Sequence, residues 1–449
     1  METKDTIVAI STGASSGAIS IVRMTGSSAV EIADKIFAST KNKKPSSFVP
    51  RMLVLGTIKT KAFDEQALCV VFKAPASYTG EDMVEFQCHG GTQIAKGVLR
   101  ECLAQGARLS ANGEFTKRAF LNGKVSLSSA EGMMDMINAE SDAEVRAGYG
   151  LLSGKLSKLA TDSAAELTDI LSEIEVSFDY PEETIEFITK AKVKERLSLL
   201  SEKISEVLST SDAGKIIKSG INVLIVGKPN VGKSSLLNNL LERERAIVTD
   251  VAGTTRDSIE ETFMLGDVKI NLTDTAGIHE TSDIVEKIGV DKAKNLIEQA
   301  DIVLFLIDSS RKFTNEDQMI YDSIKNKKHI VVKTKSDLNK ADSVNFDGEI
   351  EISAVTNSGI DTLKNKILEL TEISSLSNSS VVITNERHRE ALEYANNHIQ
   401  NAIQNISDDT LDLVSIDIKS AYIEIGKITG NTTSEDIIDA IFSKFCLGK

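Results

Sequence analysis

The sequence predicts a multidomain protein of α/β plus α class, in which one doubly wound α/β unit is inserted into a helical domain. Three observations carry that prediction. Between Ile221 and Leu370 buried-strand runs alternate with polar loops and helical stretches, the pattern of a parallel sheet covered on both faces. Long helical segments lie before and after this unit. At the N-terminus short apolar runs mix with Gly-rich turns, which reads as strands alternating with helices. Domain termini tend to lie close together, so the two helical segments read as halves of one domain. The predicted boundaries are 1–120 for the N-terminal α/β domain, 121–216 for the first helical part, 217–375 for the inserted unit and 376–449 for the second helical part.

Each element follows from its pattern. "TIVAI", "AISIVRM" and "ALCVVFKA" are the N-terminal strand candidates. Ser128-Ser129-Ala130-Glu131 has the form of a capping box that opens the helical part. Leu167, Leu171, Ile174 and Phe178 share one helical face. So do Val193, Leu197, Leu200, Ile204 and Leu208, and Pro181 separates the two runs. "NVLIVG", "KINLTD", "DIVLFLID", "HIVVKT" and "EIEIS" are the strands of the inserted unit. After the Ser/Asn-rich joint at 372–380, Leu411, Val414, Ile418, Ala421, Ile425 and Ile428 repeat at three and four. Thr433 or Ser434 caps a last helix, with Ile437, Ile438, Ile441, Phe442 and Phe445 facing inward.

Composition bounds the function. Hydrophobic residues make up 41% and charged residues 26%, an ordinary globular balance. A net charge of −15 argues against a protein that holds nucleic acid mainly by neutralising phosphates. Any RNA contact must be local. "KNKK" at 41–44, "KAKVKER" at 190–196 and "KNKK" at 325–328 are candidates, each more simply read as a solvated run. There is no apolar run of spanning length and no basic-then-apolar leader, so the reading is cytoplasmic with no membrane partner. Cys69, Cys88, Cys102 and Cys446 show no C-x-x-C spacing, which fits reduced thiols without structural zinc.

"GKPNVGKS", Gly227 to Ser234, follows a strand and opens a helix, the context of a phosphate-binding P-loop. Asn230, Val231, Gly232, Lys233, Ser234 and Ser235 are the candidate residues there. Glycines let backbone N–H groups turn toward phosphate, Lys233 supplies a cation, and Ser234 a hydroxyl for Mg2+. Asp274, Thr275, Ala276 and Gly277 form "DTAG" at a strand end, where Asp274 can reach Mg2+ through water and Gly277 the γ-phosphate. In "TKSD" the Asp337 carboxylate accepts two bonds from a guanine edge, which adenine cannot offer, and the Lys335 stem covers the base. Thr334 stands where Asn is usual, and its hydroxyl can still bridge to the P-loop. Ser353 and Ala354 offer a backbone N–H to guanine O6. Four such motifs in order at strand ends predict a Ras-like G domain that takes GTP. Ile278 follows the DTAG motif and cannot orient water, so hydrolysis needs another route.

The stretch "TDVAGTTRD" (Thr249, Asp250, Val251, Ala252, Gly253, Thr254, Thr255 and two more), with Asn230, resembles potassium-dependent GTPases that activate by pairing their G domains. That resemblance implies K+ held by Asn230, Thr254 and the carbonyls of Thr249 and Val251, and Thr255 joining Ser234 on Mg2+. With "DTIVAISTG" at the start, "SYTGEDMVEFQCHGG" at 77–91, "NGEFTKRAFLNGK" at 112–124 and the terminal "FCLGK", nearly the whole chain resembles the MnmE (TrmE) family of tRNA modification GTPases. The family implies an N-terminal folate-binding and dimerisation domain. It implies a one-carbon tetrahydrofolate donor, 5-formyl or 5,10-methylene, bound through Arg23, Glu85, Lys124 and Lys449. It implies a homodimer that, with the FAD-binding MnmG (GidA) in a heterotetramer or larger complex, adds a carboxymethylaminomethyl-type group to C5 of the wobble uridine of certain tRNAs. Glu286 matches a family residue that helps position the hydrolytic water. Glu85 suits the pterin amide edge bidentately, and Arg23, Lys124 or Lys449 the anionic tail.

His89 is a tempting base but is more simply held in its Gly-rich turn. "CLGK" is not a lipidation box, because Lys449 is not among the usual terminal residues and no basic run precedes it. The last helix instead carries Cys446 to the folate domain, expected to be the other subunit's, as a catalytic thiol or a buried structural one. The alternatives are a ribosome-assembly or signalling GTPase, for which the chain lacks a basic RNA module, and a one-carbon transferase that uses GTP only for regulation.

Overall fold

The computed structural model describes residues 5–13, 15–179, 190–244, 259–274, 295–341, 344–370, 381–406, 411–446 and 448. They form two compact units. One is Met1–Met134 with Leu151–Ser198 and Tyr394–Lys449, the other Asp135–Gly150 with Leu199–Glu393.

In the first unit, β1 (Ile7–Ile10), β2 (Ile19–Thr25), β3 (Phe37–Ser39), β4 (Val54–Lys59), β5 (Asp64–Phe72), β6 (Met83–His89) and β7 (Arg108–Leu109) make one sheet. Its order is β3-β4-β5-β6-β2-β1-β7. The β1–β7 pair is parallel and the other pairs are antiparallel. Strands and helices therefore alternate only in part: β4, β5 and β6 follow one another directly. The Thr60 hydroxyl explains the first of these returns. It accepts the Ala62 and Phe63 N–H groups and donates to the Phe63 carbonyl at 2.7 Å, which closes a tight hairpin.

Val22, Met24, Cys69, Val71, Val84 and Phe86 pack on Ile32, Ile36, Val98 and Cys102 of helices Ala29–Ile36 and Thr92–Ala104. Side chains alternate across a strand, so Arg23, Val70 and Glu85 lie on the opposite face. They are also cross-strand neighbours, Arg23 opposite Glu85 and Glu85 opposite Val70.

Helices Lys155–Asp179 and Leu411–Thr429 run against each other in the same unit. Val414, Ile418, Ala421, Ile425 and Ile428 are buried, as the spacing predicts. On the partner helix the buried stripe is Leu156, Ala160, Ser163, Leu167, Ile170 and Ile174. Ile170, not Leu171, fills the seam, because steps of four and three hold the average at the helical period. The Phe178 side chain lies outside the described residues.

One cap differs from expectation and a second holds its expected position without a side-chain bond. Ser126, not Ser128, opens helix Leu127–Ile137: its Oγ accepts the Ser129 N–H at 3.1 Å, while Ser128 sits in the first turn bonded to Ser157. Leu127 is fully buried, which forces the cap to precede it. Ser434 occupies the N-cap position of helix Glu435–Ser443 without a side-chain bond.

That last helix buries Ile438 and Phe442, with Phe445 beyond it, against Leu127, Ala130 and Phe120. Ile437, expected inside, is 48% exposed on the far side. The close approach needs Gly113: at φ +64° a Cβ there would lie 2.4 Å from the Phe442 carbonyl. Gly113 N–H then donates to the Cys446 carbonyl at 3.3 Å, and the Ser11 hydroxyl to the Gly448 carbonyl at 3.1 Å. The tail thus lies on this chain's own β1 end and Gly113 turn, not on a partner's as the sequence reading expected.

In the second unit, β8 (Ile221–Val226), β9 (Ile259–Leu265), β10 (Val268–Asp274), β11 (Ile302–Asp308), β12 (His329–Thr334) and β13 (Ile350–Glu351) form a sheet in the order β13-β12-β11-β8-β10-β9. All pairs are parallel except β9–β10. The edge strand β9 was not foreseen, because "IEETFML" spends its first residues on charge. Apolar clusters on both faces make the sheet doubly wound. Residues of Asp135–Gly150 join this unit: Ala143 and Ala147 pack on Ile217 and Val382. Arg146–Asp267 and Lys269–Glu140 ion pairs at 2.7 and 2.6 Å hold them to the β9–β10 turn. Among the described residues no helix is long and apolar enough to cross a membrane.

The fold makes the tail helix a stability element. Phe442→Ala should cost about 3–5 kcal/mol in urea or thermal unfolding, and Ile437→Ala on the exposed side less than about 0.5 kcal/mol. Equal losses would place the helix elsewhere.

Candidate functional site

Candidate nucleotide residues sit at the carboxyl ends of the parallel strands, around β8, where the strand order reverses. After β8 the chain turns through Gly227, whose φ is +157° and whose missing Cβ would meet the Leu306 carbonyl at 2.6 Å. Asn230 follows with φ +64° and is exposed; Val231 is buried beside Gly232. Helix Lys233–Glu244 starts there, so its first N–H groups end on the loop. Lys233 is 5% exposed and its Nζ donates back to the Gly227 carbonyl at 2.8 Å. Ser234 and Ser235 are exposed in the first turn.

Thr334 closes β12. Its hydroxyl lies 2.6 Å from the Val231 carbonyl and 3.2 Å from that of Ile307, so it spans from the TKSD strand to the phosphate loop. Lys335 turns through φ +57° and its Nζ donates to Asp308 at 2.6 Å. Asp308 ends β11, is almost fully buried, and also accepts the Ser310 N–H and hydroxyl. Burial acts to raise its carboxyl, but the bonds from Lys335 and Ser310 prevail and hold it below the ordinary carboxylate value. Asp337 accepts the Ser353 hydroxyl at 2.6 Å. Ser353 N–H donates to the Ser358 carbonyl and Ser353 Oγ accepts the Thr356 N–H, so Ala354 sits in a closed loop.

Asp308 was missed in the sequence. The available signal was a carboxylate ending a strand of seven buried residues. Asp274 ends β10 opposite Ile225, with its side chain outside the described residues. Thr249, Asp250, Val251, Ala252, Gly253, Thr254, Thr255, Thr275, Ala276, Gly277 and Glu286 also lie outside them.

A second charged site lies on the first unit's sheet. Arg23 Nε donates to Glu85 Oε1 at 2.7 Å, with side chains 22% and 12% exposed. The guanidinium carbon is 5.8 Å from the Tyr78 ring centre and 5.9 Å from that of Phe115. Such cation–π contacts contribute about 0.5–2 kcal/mol each and fix the plane of the Arg. Tyr78 OH is 2.9 Å from Thr116 Oγ1, and burial pushes its phenol above the ordinary value. Pairing with Arg23 engages one Glu85 oxygen, Oε1. Lys124 Nζ donates to the Pro75 carbonyl at 2.9 Å on the surface. Cys446 is exposed while Cys69, Cys88 and Cys102 are buried, which removes the reading of Cys446 as a buried structural thiol. Lys449 lies outside the described residues. His89 is exposed at the end of β6 and oriented by Glu65, its Nδ1 2.7 Å from Oε1. Tyr78 and Phe115 were legible only as aromatics within the quoted motifs.

A phosphate loop, a TKSD strand end joined to it, and a serine loop on the TKSD carboxylate define a P-loop GTPase. The profile described as the MnmE helical domain matches residues 127–446, and that of the GTP-binding protein TrmE N-terminus matches residues 6–124. The tRNA modification GTPase MnmE of Alkaliphilus metalliredigens is 42% identical over 460 residues, covering 99% of both chains. Those of Clostridioides difficile (41%, 99% of both chains) and Acetivibrio thermocellus (42%, 100% of both) are similar over the same span. The chain belongs to the MnmE family of tRNA modification GTPases. It is a GTPase that acts in tRNA modification, with tRNA as substrate.

The Thr334 bridge yields a direct test. Thr334→Val keeps the shape but leaves the Val231 carbonyl without its donor, at a cost of about 1–3 kcal/mol. We expect lower stability in urea and weaker GDP binding in fluorescence titration, with Thr334→Ser retaining both.

Proposed function

We propose that this chain works as a cytoplasmic homodimer, with residues 217–375 as the G domain and 1–120 as a tetrahydrofolate-binding domain. Together with an FAD-dependent MnmG (GidA) partner, it installs the carboxymethylaminomethyl-type group on C5 of the wobble uridine. The observation that carries the folate half is the Arg23–Glu85 pair between the Tyr78 and Phe115 rings, a preorganised polar edge in an apolar frame. Among the described residues Glu85 Oε2 and the Arg23 Nη groups have no protein partner in hydrogen-bonding range. Glu85 can therefore accept from a pterin amine while Arg23 donates to a carbonyl or carboxylate. Cys446, exposed and with its carbonyl on the Gly113 N–H, is the proposed thiol, with Lys124 and Lys449 toward the anionic tail.

The G-domain half rests on Asn230 and Ser234. Ser234 presents an exposed hydroxyl beside buried Lys233, which fits a Mg2+ ligand completed by Thr255. Asn230 stands exposed in a left-handed conformation, with its amide oxygen open to K+ alongside Thr254 and the carbonyls of Thr249 and Val251. K+ held there would supply the positive charge for phosphoryl transfer that an arginine finger would otherwise provide. G-domain pairing then drives hydrolysis, and Glu286 positions the water.

Two experiments test these halves. GTPase rates should fall about tenfold or more when K+ is replaced by Na+; equal rates would remove the potassium site. In cells lacking the chain, mass analysis should find unmodified wobble uridines, restored by the parent gene but not by Lys233→Ala. Full modification by Lys233→Ala would separate GTP hydrolysis from the chemistry.

A further inference from the structure

The loop Ser353–Ser358 that offers Ala354 to the base has little packing of its own. Val355 is 83% exposed, and residues 356–358 are exposed as well. Its ends are closed by the Ser353–Ser358 bridge, and Ser353 bonds Asp337. One further tether comes from outside. Asn239, two turns into the helix that begins at Lys233, donates from Nδ2 to the Ala354 carbonyl at 3.3 Å and to Asn357 Oδ1. Both amide hydrogens are thereby used. Asn239 Oδ1 is buried with no partner among the described residues. The Ala354 carbonyl sets the orientation: a flipped amide would place Oδ1 against an oxygen that can only accept. Asn357, the second acceptor, holds φ +59°, a conformation that needs support in a non-glycine residue.

We infer that Asn239 is a positioning residue for guanine recognition, latching the Ala354 loop to the helix that carries the phosphate-binding end. This inference rests on the reading of Ser353-Ala354 and Asp337 as the base site. The latch acts on the O6 contact and leaves the chemistry alone. Hypoxanthine shares O6 with guanine but lacks the 2-amino group that Asp337 reads. Loosening the latch should therefore weaken GDP and IDP by the same factor.

The test is fluorescence titration of the full-length chain with GDP and IDP, together with GTPase kinetics in K+. Asn239→Ala should raise both dissociation constants about threefold to tenfold, the range expected for one to two lost hydrogen bonds. Asn239→Asp, isosteric but unable to donate, should raise them at least as much. KM for GTP should rise in step while kcat at saturation stays within about twofold. A general loss of structure would lower kcat as well, and circular dichroism checks that both variants fold. Parental GDP affinity in both variants would overturn the inference, as would an unequal effect on GDP and IDP. Asp337→Asn, measured in parallel, should exchange GDP for xanthosine diphosphate. If it does not, the base-site reading and the inference built on it both fall. If it does while the Asn239 variants bind normally, the latch alone is wrong.

Discussion

The Thr334 hydroxyl on the Val231 carbonyl is the contact on which the nucleotide site depends. It ties the end of β12, which carries Lys335 and Asp337, to the loop that carries Lys233. Together with the Asn239 bonds to the Ala354 loop, it joins the base end to the phosphate end above the sheet. The neighbouring bonds follow the same logic. Lys335 leans on the buried Asp308 at the end of β11, and Asp337 on Ser353 beyond β13. Four adjacent strand ends are thus cross-linked by charge-assisted or buried hydrogen bonds, whose worth rises in the low dielectric behind the sheet edge. A threonine can take the place of the usual asparagine because only one short donor is needed to reach Val231.

The first unit solves a different problem. Its sheet buries one face under helices and must present a polar pair on the other. Register decides which pair. Arg23 and Glu85 are directly opposed across β2 and β6, so each neutralises the other. The Tyr78 and Phe115 rings then hold the guanidinium in place. Gly113 sets the second feature of this unit. Its left-handed backbone and missing side chain let the tail helix approach closely and leave Cys446 exposed nearby.

Much of this was legible in the sequence. The parallel strands of the second sheet read as continuous apolar runs because both faces are buried. The seam of helix Leu411–Thr429 was visible because its period is regular. What escaped had physical reasons. β9 is an edge strand with two glutamates among its first three residues. Ser126 took the cap from Ser128, two residues on, because burial of Leu127 between them is a tertiary fact. Ile170 displaced Leu171 because two leucine-sized residues one step apart are ambiguous until the partner helix is placed. Within the sites, the Thr334 bridge to the phosphate loop was expected from the sequence, whereas other contacts were not. That Glu85 would be engaged by Arg23, or Lys335 by Asp308, depends on register between strands distant in sequence.

The central claim is that a guanine nucleotide lies across these strand ends, with Lys233 serving as its phosphate cation. Lys233 Nζ now donates to the Gly227 carbonyl. A crystal structure with a non-hydrolysable GTP analogue tests this most directly. The account predicts that Nζ leaves Gly227 for a phosphate oxygen, that guanine O6 meets Ala354 N–H and that Asp337 takes the N1 and 2-amino hydrogens. Nucleotide bound with Lys233 still on Gly227, or with the base away from Asp337, would contradict it.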